Sequence, residues 1–183
     1  MARKDRRRIS TPVYGGSNPL DGTHTYIVKR QKKKWSCGAA VVRNTFRVFG
    51  VRVAEHEIRA CAGTHQDYGT SEVGILKALR AWGFHPKQHS FDDKQKATEW
   101  LHETLANGQP VILAVENWEH WILAIGSLGT SGIAIFDSSN FKVNLYENGT
   151  HVWNDKKLIH MWWNDRKSIT VDQKRIYAIS VRK

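Results

Sequence analysis

Gln31-Lys32-Lys33-Lys34-Trp35-Ser36-Cys37-Gly38-Ala39-Ala40 sets a glutamine six positions ahead of a cysteine, and small residues then lead into an apolar run. That run, 37 to about 49, predicts a helix closed by Gly50 as its C′ residue. Ser36 is the N-cap candidate, with a hydroxyl able to accept from an unpaired N–H of the first turn. A thiol at position 37 then lies at the positive end of a helix dipole. That position favours thiolate over thiol, the form a nucleophilic cysteine needs.

Working outward, the segment 54–62 reads as a second helix ending at Gly63. Thr70 or Ser71 caps a third, 72–82, with Val73, Ile75, Leu76 and Leu79 as its buried stripe. A fourth, 94–106, opens on Asp92 and Asp93 and buries Trp100, Leu101 and Leu105. After Pro110 the period changes. Short apolar runs at 111–115, 121–125, 133–136 and 175–181 read as strands, and the runs 141–146 and 150–153 flank Asn148-Gly149 as a hairpin. Helices first and strands second predict an α+β protein with an N-terminal helical lobe carrying Cys37 and a C-terminal antiparallel sheet lobe.

The chain has 183 residues, 40% hydrophobic and 10% aromatic, enough for one packed domain at 26–183 without a covalent staple. Cys37 and Cys61 are the only cysteines, too few for a disulfide framework. Cys61 with His65 does not make up a zinc ligand set, so no metal or other cofactor is expected. No apolar run follows the basic start or approaches a membrane span, and the expectation is a soluble, cytoplasmic protein. The net charge of +11 is concentrated in residues 1–34, which hold ten basic residues against two acidic ones. Residues 1–25 read as a basic, flexible arm, and its first eight residues can attract nucleic acid or another anionic partner, or simply aid solubility.

The strand half supplies a base and something to orient it. His120 opens one apolar run and Asp137 closes the next, so neighbouring antiparallel strands bring them within hydrogen-bond reach; Asn140 is an alternative orienter. Gln31-x5-Cys37-Gly38, Gly69-Thr70-Ser71, Trp82-Gly83-Phe84, Gln109-Pro110-Val111-Ile112, His120-Trp121-Ile122-Leu123-Ala124-Ile125-Gly126 and Phe136-Asp137 follow one another along the chain. In this order they resemble the C39-like, bacteriocin-processing double-glycine cysteine peptidases and their papain-like relatives.

The resemblance implies a papain-like fold in which Cys37 attacks a carbonyl, His120 takes its proton and Asp137 orients His120. The Gln31 amide and the Cys37 backbone N–H would then form the oxyanion hole, whose donors are worth about 3 to 4 kcal/mol in a transition state. Two positions depart from the family pattern: Ser36 where many members are acidic, and Ser138 where proline usually follows the aspartate. Lys32, Lys33 and Lys34 are expected to form a positive rim that favours acidic substrates, and Trp118 and Trp121 to line the groove. The substrate is thus a peptide or protein, cleaved at a peptide or isopeptide bond. The same thiol chemistry also serves deamidation and acyl transfer. A catalytically degenerate binding module that uses the basic arm is the rival from another class.

Overall fold

The computed structural model describes residues 29–139, 150–163 and 176–183. The basic arm, Asn140, the run 141–146 and the Asn148-Gly149 turn lie outside the described residues. The chain runs α1 (Cys37–Val48), α2 (Glu55–Ala62), α3 (Glu72–Ala81), β1 (His85–Phe91), α4 (Lys94–Ala106), β2 (Val111–Val115), β3 (His120–Ser127), β4 (Ile133–Phe136), β5 (Thr150–Trp153), α5 (Asp155–Trp162) and β6 (Ile176–Arg182). All strand pairings are antiparallel, in the order β1-β6-β2-β3-β4-β5. The class is therefore α+β, with Cys37 on the helical side and His120 and Asp137 on the sheet.

Helices cover both faces of this sheet, and the strand sequences follow from that. On one face Ile112, Ala114, Trp121, Leu123, Ile125, Ile179 and Val181 pack under α1 and α3, with Val42, Phe46, Ile75 and Leu79. On the other, Val111, Leu113, Val115, Ile122, Ala124 and Ala178 pack against Leu101, Leu105, Leu158 and Trp162 of α4 and α5. Side chains alternate between the faces, and both faces are dry, so every residue of β2 is buried. An antiparallel strand with one wet face would alternate polar and apolar instead.

The helices begin as the sequence predicts, with one exception. Ser71 accepts from Gly74 N–H, and Asp93 accepts from Lys96 N–H. Ser36 occupies the N-cap position of α1 but makes no capping bond. Val73 does not belong to the buried stripe of α3; it is 66% exposed, while Ile75, Leu76 and Leu79 face the core. Two elements are additional to the sequence reading: β1, an edge strand, and α5, whose N-cap Asn154 accepts from Lys157 N–H.

Candidate active site

Cys37 reaches the sheet because α1 lies directly on β3. Gly38 makes the close approach possible: a Cβ there would fall 2.6 Å from the Thr70 Cβ and 3.3 Å from the Trp121 ring. Trp121 Nε1 donates to the Thr70 carbonyl at 3.0 Å, tying β3 to the start of α3 beside the thiol. Trp121 is 5% exposed, so of the two tryptophans expected in the groove it acts chiefly as packing.

His120 opens β3 immediately after a tight turn in which Glu116, Asn117 and Trp118 all have positive φ, at 54°, 56° and 70°. Three consecutive non-glycine residues in the left-handed region cost on the order of 1 kcal/mol each. The turn is held by Glu116 N–H donating to the Met161 carbonyl and Glu119 N–H to the Glu116 carbonyl. Strain and anchorage together fix where the His120 side chain begins.

His120 Nε2 lies 2.9 Å from Asp137 Oδ1, with both side chains 10% exposed. The Cys37 side chain also acts on the ring, and like Asp137 it favours the protonated form. Burial alone would lower the His120 pKa, but the hydrogen bonds and negative charges of Asp137 and Cys37 outweigh it and raise it to about 10. Burial acts on Asp137 in the opposite sense, pushing it up. The bond and charge of His120, with two bonds from Ser139, hold it down to about 2. The site therefore favours a protonated His120 paired with the Asp137 carboxylate.

The two serines after Asp137 join the site, although sequence reasoning gave neither of them a role there. Ser139 N–H and Ser139 Oγ both donate to Asp137 Oδ1, at 2.9 and 2.8 Å. Ser138 stands where the family pattern has proline. Its hydroxyl donates to Gln31 Oε1 at 3.0 Å, and its carbonyl accepts Gln31 N–H at 3.1 Å. Gln31 is thus drawn to the end of β4, next to Asp137. Its Nε2 donates to the carbonyls of Lys33 and Lys34, at 3.0 and 2.9 Å, so the amide braces its own loop.

A cleft of about 760 Å³ opens over this line of residues. Gln31, Cys37, His120 and Ser139 line it, with Trp35, Tyr68, Trp118 and Trp121 as its aromatic surface. Of the three lysines only Lys34 reaches it, and Asp67, Glu116 and Glu119 line it as well. Lys32 and Lys33 turn their backbone N–H groups to Glu55 and Ser36 and stand outside the cleft. Of the positive rim expected from the lysine run, one residue lines the cleft, together with three carboxylates. No cluster of three or more metal-ligating side chains occurs among the described residues.

Residues 25–159 match the model of the peptidase C39 family. The chain belongs to the peptidase C39 family. Its members are cysteine peptidases, and this chain is a cysteine peptidase of that family. No curated protein matches its sequence. Among solved structures it is similar to a double-glycine motif protease from an AMS/PCAT transporter in complex with the leader peptide. That match has 17% identity and a TM-score of 0.61, over 84% of this chain and 89% of that one. It is also similar to the peptidase domain of Streptococcus ComA, a bifunctional ABC transporter involved in quorum sensing, at 18% identity and a TM-score of 0.64, over 85% and 97%. The peptidase domain of Streptococcus mutans ComA matches at 17% and 0.56, over 86% and 100%. These likenesses show a shared C39 fold. No described helix is long and apolar enough to cross a membrane.

Proposed function

We propose that this C39 chain hydrolyses a peptide or isopeptide bond through a thioester on Cys37. The observation that carries the reading is the 2.9 Å bond from His120 to Asp137, with Cys37 and His120 together lining the cleft. A degenerate scaffold would have no use for a protonated histidine paired with a carboxylate in a cleft that also holds a thiol.

The thiolate of Cys37 attacks the carbonyl carbon, an S–C bond forms, and the π pair moves to oxygen. The Cys37 backbone N–H receives that oxyanion. Gln31 Nε2 joins it once the amide releases one of its loop carbonyls. His120 gives its proton to the leaving amine as the C–N bond breaks. Water then attacks the thioester, His120 takes the proton, and the S–C bond breaks to restore the thiolate. Asp137 keeps the ring oriented and charged, and Ser139 keeps Asp137 in place. A peptide substrate is supported by the leader peptide bound in one structural neighbour. The carboxylates of the cleft favour neutral or basic peptide over the acidic substrate that the lysine run alone implies.

The test is mass-spectrometric detection of cleavage in a defined peptide library, with Cys37→Ala and His120→Ala as controls. Cleavage by the wild type that both substitutions abolish supports the proposal. Cleavage that survives either one contradicts it.

A further inference from the structure

The first turn of α1 is arranged differently from those of α3, α4 and α5. Ser36 precedes Cys37 with φ −101° and ψ 24°, and its hydroxyl is turned away from the helix. That hydroxyl lies 2.8 Å from Glu55 Oε1 and 3.0 Å from the Lys33 carbonyl, and it accepts Lys33 N–H at 3.2 Å. Among the described residues no acceptor meets the N–H groups of Cys37, Gly38 or Ala39. By contrast, Ser71, Asp93 and Asn154 each accept from the third residue of their own helices.

Glu55 causes the difference. Its side chain has no exposed surface and pairs with Arg43 Nη1 at 2.7 Å. Both its oxygens accept Lys32 N–H, at 3.1 and 3.2 Å. Arg43 Nη2 in turn donates to the carbonyls of Lys29 and Arg30, both at 2.9 Å. A buried ion pair is weak support for stability, since well-packed apolar residues often do as well in its place. Its bonds here fall on the loop that ends at the nucleophile.

We infer that Glu55 is a positioning residue of the peptidase: by holding Ser36 and Lys32 it leaves the N–H groups at the start of α1 open to the oxygen of a bound acyl group. The inference rests on Cys37 being the nucleophile. Without Glu55 the Ser36 hydroxyl is released to cap α1, and it then competes with that oxygen for the same donors.

Two reagents separate this role from general support of the fold. Acetyl-Gly-glycinal forms a hemithioacetal whose oxygen needs the donors, whereas iodoacetamide needs only the thiolate. In a Cys61→Ser background, Glu55→Gln is expected to weaken aldehyde binding at least about tenfold while alkylation stays within about threefold. Adding Ser36→Ala is expected to restore aldehyde binding to within about threefold, because no hydroxyl remains to cap the helix. If Glu55→Gln does not melt cooperatively, Arg43→Met/Glu55→Gln removes the unpaired charge and carries the same comparison. Unchanged aldehyde binding in the Glu55 variant, equal losses with both reagents, or no recovery on adding Ser36→Ala overturns the inference alone. A wild type that binds no aldehyde and is alkylated no faster than free cysteine overturns the peptidase reading and the inference with it.

Discussion

Two lines of side chains in this molecule have the same composition in outline. One is Cys37–His120–Asp137. The other is Ser127–His102–Asp155, in which His102 Nδ1 lies 2.7 Å from Ser127 Oγ and His102 Nε2 lies 3.0 Å from Asp155 Oδ1. The His–Asp distances, 2.9 and 3.0 Å, do not tell them apart. Burial and placement do: His120 and Asp137 are each 10% exposed, whereas His102 is 23% and Asp155 54% exposed. Water screens the second pair, and exposed ion pairs are worth about 0 to 1 kcal/mol. Ser127 Oγ also accepts Gly129 N–H at 3.3 Å, and it does not line the cleft over Cys37. The second line joins α4 and α5 to the end of β3, while the first is enclosed at the base of a cleft. A nucleophile, a histidine and a carboxylate in a row are not enough; the proposed catalytic role rests as well on the cleft above them and on their low-dielectric surroundings.

The sharpest way to break the comparison is to truncate the two histidines in turn. His120→Ala is expected to lower peptide cleavage by about 10³-fold or more, since it removes both base and acid, whereas His102→Ala leaves kcat within about twofold and costs about 1 kcal/mol in thermal unfolding. Comparable activity losses would put both lines on the same footing.

The carboxylates give the next largest effect. Asp137→Asn removes a cause of the raised His120 pKa, so the alkaline limb of the pH–rate profile is expected to move down from about 10 toward the ordinary histidine value of 6.5. Asp155→Asn is expected to leave that profile in place.

Folding stability carries the same signature. The raised His120 pKa contributes stability that is full below 6.5 and is lost as pH rises through about 10. The depressed Asp137 pKa contributes stability that is present above 3.8 and is lost as pH falls through about 2. Urea midpoints measured across pH in the wild type and in His120→Ala test both windows; matching curves would remove His120 from the account.

Smallest is the turn before His120. Glu116→Gly relieves one left-handed residue and is expected to stabilise the chain by about 1 kcal/mol in denaturant unfolding. A loss of stability would mean that the Glu116 side chain, and not the backbone, holds the turn.

Much of the site was legible in the sequence because its residues sit at element boundaries, where local signals are strong. Cys37 begins a helix, His120 begins a strand and Asp137 follows one. The core strands were legible because both faces of the sheet are dry and their runs are continuously apolar. β1 was not: His85-Pro86-Lys87-Gln88-His89-Ser90-Phe91 is a polar edge strand containing proline, and it becomes a strand by pairing along its length with β6. α5 had a readable cap in Asn154 and an apolar pair in Leu158 and Trp162, but the segment is short and flanked by tryptophans. The parts that needed three dimensions are the long-range ones. They include Glu55 reaching Ser36 across nineteen residues, Ser138 reaching Gln31 across 107, and the carboxylates that face Lys34 in the cleft.

The central claim is the pairing of the Cys37 thiol with a charged His120, and the most direct measurement is the rate of Cys37 alkylation by iodoacetamide against pH. Wild type and His120→Ala are compared in a Cys61→Ser background. Wild type is expected to be alkylated much faster near pH 6, with the advantage shrinking as pH rises past about 8.5, where a thiol without a histidine partner ionises on its own. Equal rates in the two proteins at pH 6 would contradict the claim.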